Sequence, residues 1–277
     1  MTWNPQPFKD HVVLITGAGR GIGQAAAKKF AAAGASLFLC DVDAESLAET
    51  QALLGEATEV GVIAVDLTQL DAPQAIVQAA LSQFERIDVV VNNAGYIWNG
   101  AMHRHSEAQW QAMIDIHATV PFRLLQAFAN WMIPTARAEL EASGAATPRK
   151  VVNISSVSGT QGSATQVAYA TGKAAVVGLT KTLAKEWGRY NVQVNAVAFG
   201  HIETRLTQAF ETSPPSIEHA GQAYKVGLSN QQIEHLRRTV PLGRPGHVDE
   251  AAGAILLMAL PEANYITGEV LTCSGGA

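Results

Sequence analysis

Tyr169 and Lys173 stand four residues apart in Tyr169-Ala170-Thr171-Gly172-Lys173. On a helix that spacing puts both side chains on one face. An ammonium beside a phenol stabilises the tyrosinate and lowers its pKa from about 10, which makes a proton donor and acceptor usable near neutrality. Ser156 lies thirteen residues upstream, closing the apolar run Val151-Val152-Asn153-Ile154-Ser155-Ser156. Strand ends of this kind are where open α/β sheets place their ligands. Any amphipathic helix can carry Tyr-x-x-x-Lys, so the pair takes its meaning from a second segment, Thr16-Gly17-Ala18-Gly19-Arg20-Gly21-Ile22-Gly23. There, small residues between a strand-like and a helix-like run let the backbone approach a pyrophosphate at a helix N-terminus. The alternative is a flexible glycine-rich turn. Read together, the two segments point to redox chemistry on a hydroxyl or carbonyl carbon.

Asp41 follows the glycines by some twenty residues and ends the second strand-like run. A carboxylate there accepts hydrogen bonds from the adenosine ribose hydroxyls and repels a 2′-phosphate, so NAD is expected over NADP. Arg20 weighs the other way, as a partner for that phosphate. A turn or helix-capping role for Asp41 is compatible with both.

The elements that must position these residues alternate along the chain: Val12 to Ile15, Ala25 to Ala33, Ser36 to Cys40, Ala44 to Leu54, Val60 to Val65, Ala72 to Phe84, Ile87 to Val91. This β-α-β-α-β-α-β order implies a parallel sheet with right-handed crossovers and helices on both faces. A long helical stretch from Ser106, strands at Val151 and Val192, a helix bearing Tyr169, a helix near Ala251 and a strand at Val270 to Thr272 follow. With 277 residues, 48% of them hydrophobic, one core over residues 1–277 is expected. The interruptions at Ser143 to Pro148 and Ser213 to Ser216 are too short to divide it. A net charge of −5 supplies no basic stripe for nucleic acid or anionic membrane, and the longest apolar run, Ala251 to Leu260, falls well short of the roughly 20 residues of a membrane span. Cys40 and Cys273 show no disulfide or zinc spacing, and Met1 to Asp10 lacks the apolar core of a signal peptide, so a cytoplasmic protein is expected. No metal is expected; His103-Arg104-His105 reads as a solvated loop.

The ordered set of Thr16 to Gly23, Asn92-Asn93-Ala94-Gly95, Ser156, Tyr169 with Lys173, and Asn195-x-Val197-x-x-Gly200 resembles the short-chain dehydrogenase/reductase family from about Lys9 to the C-terminus. The resemblance implies a doubly wound, Rossmann-type, mainly parallel seven-stranded α/β sheet. It implies that Ser156 holds the substrate oxygen, Tyr169 exchanges its proton, and Lys173 holds the nicotinamide ribose. Gly17, Arg20, Gly21, Ile22 and Gly23 would cradle the cofactor. Asp66 and Leu67 would flank the adenine, Asn93, Ala94 and Gly95 would pass beneath the cofactor, and Ile202 and Thr204 after Gly200 would meet the nicotinamide carboxamide. Asn93 has the alternative of tying strands together, and Thr204 of capping a helix.

Two positions depart from the family pattern. His117 stands seven residues after Trp110, where most members have an asparagine that helps hold a water chain from the lysine. A histidine there either joins the relay, making it pH-dependent, or is a buried residue satisfying local backbone. Phe199 replaces a proline before Gly200, which is expected to loosen that turn or, with Tyr96, Trp98 and Phe210, to wall an apolar pocket. The segment 204–241, carrying Pro214, Pro215, Gly221 and Gly227 between helical pieces, is expected to cover the substrate. By resemblance, a homodimer or homotetramer is expected through Ala174, Val177, Gly178 and the Leu124 to Phe128 stretch. The reading put first is an NAD-dependent oxidoreductase acting on an apolar or aromatic secondary alcohol/ketone pair. A 3-oxoacyl-thioester reductase, disfavoured by Asp41 and by the acidic charge, and a catalytically silent dinucleotide sensor are the alternatives.

Overall fold

The computed structural model describes residues 4–204, 209–210, 216–219, 222–225 and 228–277. Its first half follows the alternation read from the sequence: β1 (Val12–Thr16), α1 (Gly21–Ala32), β2 (Ser36–Asp41), α2 (Ala44–Leu54), β3 (Val60–Ala64), α3 (Ala72–Phe84) and β4 (Val89–Asn92). Then come α4 (Glu107–Ile114), a π-helical turn (Asp115–Thr119), α5 (Val120–Ser143), β5 (Arg149–Ser156), α6 (Val157–Gln161), α7 (Val167–Trp187) and β6 (Val192–Phe199). Four short strands, β7 (Ala209–Phe210), β8 (Ser216–His219), β9 (Gln222–Lys225) and β10 (Leu228–Ser229), precede α8 (Asn230–Thr239), α9 (Val248–Ala259) and β11 (Val270–Cys273).

The main sheet has seven strands, all parallel, in the order β11-β6-β5-β4-β1-β2-β3. Chain order reverses between β1 and β4, which opens a crevice at their carboxyl ends. Helices cover both faces, so β1, β5 and β6 are buried along their whole length, and their sequences run apolar without strict alternation. Successive side chains still divide between two cores. Leu14, Val90 and Val151 pack with Met113, Leu124 and Phe128, while Val13, Ile15, Val91 and Val152 pack with Phe30, Ala26 and Ile255.

Buried polar groups fix α7 on the sheet. Asn92 Nδ2 donates to Asn153 Oδ1 at 2.7 Å, Asn153 Nδ2 to Thr180 Oγ1 at 2.9 Å, and Ser155 Oγ to the Lys173 carbonyl at 2.8 Å. Each satisfied bond is worth about 1 kcal/mol, and its loss would leave a buried group unpaired.

The segment 204–241 differs from expectation. Apart from α8, its described residues form two-stranded pairs, β7 with β10 and β8 with β9, where helical pieces were expected. Pro214, Pro215, Gly221 and Gly227 lie outside the described residues. The expected assembly faces also divide. Leu124, Leu125, Ala127 and Phe128 are spent inside the subunit core, whereas Ala174 and Gly178 are exposed. No helix among the described residues is long and apolar enough to cross a membrane.

Candidate active site

β1 ends at Thr16, and the chain turns through Gly17 and Gly21, whose φ angles of +65° and +58° lie in the left-handed region. The loop is clamped to the end of β4. Thr16 Oγ1 accepts from the backbone N–H groups of Asn93 and Ala94, both at 3.0 Å, and Asn93 Nδ2 donates to the carbonyls of Thr16 at 2.9 Å and Gly17 at 3.0 Å. Asn93 thus ties strands together and also faces the crevice. A Cβ on Gly17 would meet Ala94 Cα at 2.7 Å, and one on Gly23 would strike the Gly17 carbonyl oxygen. The first turn of α1 has no side-chain cap, so its N–H groups are open to an anion. This cradle of bare backbone fits a dinucleotide pyrophosphate.

A cleft of about 420 Å³ runs along the carboxyl ends of the central strands. On the β2–β3 side it is lined by Arg20, Asp41, Asp66 and Leu67, with Gly17, Gly21 and Ile22 beside them. Asn93, Ala94 and Gly95 line its middle, and Ser156, Tyr169, Lys173, His117, Gly200, Ile202 and Thr204 its β5–β6 side. Of the expected site residues only Gly23 does not face it, lying beneath the loop that it allows to close. Asp41 Oδ2 accepts from Gly19 N at 3.0 Å and Oδ1 from Asp43 N at 3.2 Å. Asp66 holds Thr68 through its backbone N–H and hydroxyl.

Ser156 ends β5 and caps α6, its Oγ accepting from Ser158 N at 3.2 Å and donating to the Phe199 carbonyl at 3.4 Å. Lys173 Nζ is buried and donates to the Ile154 carbonyl at 2.7 Å, lying 5.9 Å from the centre of the Tyr169 ring. Here the sequence expectation is reversed: burial pushes the Tyr169 phenol up, against a smaller downward pull from the Ser156 hydroxyl. Burial also lowers the Lys173 amine to about 7. Desolvation outweighs the ion–phenol attraction because both groups are enclosed and the amine is turned to a carbonyl.

His117 lies in the π-helical turn, wedged so closely between Gly95 and Gly172 that a Cβ on either would collide with it. Its Nε2 lies 2.7 Å from the Tyr96 carbonyl, its Nδ1 is buried without a partner, and its ring stands edge-on to Tyr169 at 5.0 Å. Burial, helped by the nearby Lys173 charge, holds its pKa well below the usual 6.5. The expected titration near neutrality is therefore corrected: the ring stays neutral, with Nε2–H donating to Tyr96 O.

Phe199 does not leave a loose turn. It pairs with Ser156 on one side and Cys273 on the other, and Gly200 N donates to Cys273 O at 3.0 Å, so strand pairing supplies the restraint a proline would give. Tyr96 and Phe199 line the cleft; Trp98 packs against the core instead, and the Phe210 side chain is outside the described structure. Of the histidine pair in the expected solvated loop, His103 is exposed, whereas both ring nitrogens of His105 are buried without partners. No group of three or more His, Cys, Asp or Glu is placed to hold a metal among the described residues.

Sequence reasoning missed the Ile154 carbonyl and Ser155, which seat Lys173, and Asp43, which pairs with Arg20 at 2.8 Å. A backbone carbonyl carries no residue signal. Asp43 does: an aspartate just before Ala44-Glu45 is an N-cap pattern.

A family model described as short chain dehydrogenase matches residues 11–214. A 3-oxoacyl-[acyl-carrier-protein] reductase FabG of Thermotoga maritima is 35% identical over 269 residues, covering 96% of this chain and 96% of that protein. The oxidoreductase YgcW of Escherichia coli is 31% identical, covering 97% and 93%. The crystal structure of a levodione reductase superposes with a TM-score of 0.81 at 28% identity, over 97% of this chain and 98% of that one.

Proposed function

The chain belongs to the short-chain dehydrogenase family, and we propose that it reduces the ketone of a 3-oxoacyl thioester to a secondary alcohol, with Ser156, Tyr169 and Lys173 as its catalytic residues. The observation that carries this reading is the meeting of those three side chains in one cleft with the glycine cradle.

A bound nicotinamide dinucleotide would supply the hydride donor or acceptor. Gly17, Arg20, Gly21, Ile22 and Asp41 would hold it on one side, Asp66, Leu67, Asn93, Ala94 and Gly95 in the middle, and Lys173, Gly200, Ile202 and Thr204 on the other. Ser156 Oγ exchanges its bond to the Phe199 carbonyl for one to the substrate oxygen. Tyr169 gives its proton to that oxygen; burial keeps the phenol protonated at neutral pH, the state that reduction requires. Lys173, with a pKa near 7, stands ready to return a proton to the tyrosine.

For the thioester, the support is the naming of relatives such as the 35% identical Thermotoga protein. It reverses the order of substrate classes expected from the sequence, where Asp41 and the acidic charge stand against a thioester. An apolar or aromatic ketone is the second reading, favoured by Tyr96 and Phe199 on the cleft wall and by the similarity to a levodione reductase. Asp41, held by two backbone N–H groups at the adenosine side, supports NAD as the cofactor. A single cytoplasmic domain that forms a homodimer or homotetramer through the exposed face of α7 completes the proposal.

The test is initial-rate oxidation of NADH and NADPH with a 3-oxobutanoyl thioester and a panel of apolar and aromatic ketones, native chain against Tyr169→Phe. Thioester turnover lost with the hydroxyl is the expected result. Turnover of the simple ketones alone would select the second reading. Cofactor binding without turnover of any substrate would leave a dinucleotide sensor.

A further inference from the structure

Arg20 and Lys173 are the only ammonium or guanidinium groups lining the cleft among the described residues, and they belong to opposite sides of it. At the adenosine side Arg20 is already engaged. Its Nη2 lies 2.8 Å from Asp43 Oδ2. Asp43 is itself firmly placed: Oδ1 accepts from the backbone N–H groups of Glu45 and Ser46, both at 3.1 Å, capping α2, while its own N–H donates to Asp41 Oδ1. These bonds, led by the one from Ser46 and joined by Arg20, hold its carboxyl below the usual carboxylate range. Asp43 therefore sets a carboxylate on the guanidinium, while Asp41 holds the backbone N–H groups of Gly19 and Asp43.

We propose that Asp43 is a specificity-determining residue that acts through Arg20, occupying the guanidinium so that a ribose 2′-phosphate finds no free cation at the adenosine side. This deepens the NAD reading and rests on it. Asp41 repels the phosphate directly; Asp43 withholds the group that would otherwise pair with it. The Arg20–Asp43 pair is 47% and 40% exposed, where an ion pair contributes little to stability, so selectivity rather than folding is its consequence.

Asp43→Asn separates the two roles. Asparagine caps a helix as well as aspartate does, so α2 keeps its first turn while the charge is lost. Dissociation constants for NADH and NADPH, read from nicotinamide fluorescence, report on binding without turnover. Asp43→Asn should tighten NADPH about tenfold and change NADH by less than about threefold, with an unchanged Tm. In an Arg20→Gln/Asp43→Asn double variant most of that gain should vanish. An NADPH/NADH ratio unmoved by Asp43→Asn in a chain that natively prefers NADH would overturn the inference. So would a gain that survives loss of Arg20, since Asp43 would then act by direct repulsion alone. A native chain that binds NADPH more tightly would instead refute the NAD reading beneath it.

Discussion

Tyr169 and His117 share an edge-to-face ring contact, and their different chemistry separates proton transfer from positioning. Tyr169→Phe keeps the ring and removes the proton, so kcat should fall by about 10²–10⁴ with little change in cofactor affinity, measured by steady-state kinetics and direct binding. A loss in KM alone would remove the tyrosine from the chemistry. His117 is held neutral, so it cannot be the group that sets an acid limb between pH 6 and 8. His117→Asn should lower kcat several-fold by loosening Tyr96 and Tyr169, yet leave both limbs of the kcat/KM profile where they were. A shifted acid limb would restore the histidine to the relay. Stability supplies a second readout. The folded pKa lies below the unfolded value of about 6.5, so the unfolded chain binds more protons in acid and native stability falls as pH drops below about 6.5. The asparagine variant should lose that part of the acid slope.

At the scale of elements, the β1–α1 loop works because four hydrogen bonds from Asn93 and Ala94, just past the end of β4, pull it flat against the sheet. Gly23 belongs to this device although it does not face the cleft. Gly23→Ala would drive its methyl into the Gly17 carbonyl oxygen and displace Asn93, so cofactor affinity should drop by at least about tenfold while far-UV circular dichroism stays native. Unchanged binding would mean that α1 can slide without disturbing the cradle. The β6 terminus uses the same economy, with strand pairing on both sides of Phe199 replacing a proline's restraint and the Phe199 carbonyl holding Ser156 in wait.

At the scale of the whole molecule, the parallel sheet concentrates function at one end and leaves the other to stability. Lys150, near the start of β5, buries an amine that has no partner, and burial lowers its pKa to about 8. Removing an unsatisfied buried charge should help. Lys150→Met should stabilise the fold by roughly 1–3 kcal/mol at pH 7, which raises Tm by about 2–4 °C per kcal/mol in a chain near this size. The unfolded lysine keeps its proton up to about pH 10.4, so the native chain's deficit is full below pH 8 and should shrink as pH rises from 8 to 10.5. A Tm difference that ignores pH, or no gain at all, would show that water or a local rearrangement already satisfies the amine.

The sequence by itself determined the order and type of the main-sheet strands and the helices between them, and the glycine loop. Through its family resemblance it singled out Ser156, Tyr169, Lys173 and Asp41 as candidates for one site, whereas the strand pairs of 204–241 were not legible in it. Apolar runs of strand length alternating with longer helical patterns imply a parallel sheet with right-handed crossovers, and the remaining signals are residue types at short spacings. Tertiary structure alone decided the protonation of those residues. Enclosure, which no local spacing records, raises the Tyr169 phenol, lowers Lys173 and keeps His117 neutral. It also decided the long-range partners: the Ile154 carbonyl under Lys173, nineteen residues away in sequence, and Asp43 on Arg20, twenty-three away. Such contacts depend on where a crossover returns the chain, as the pairing of β7 with β10 and of β8 with β9 depends on which short strands meet.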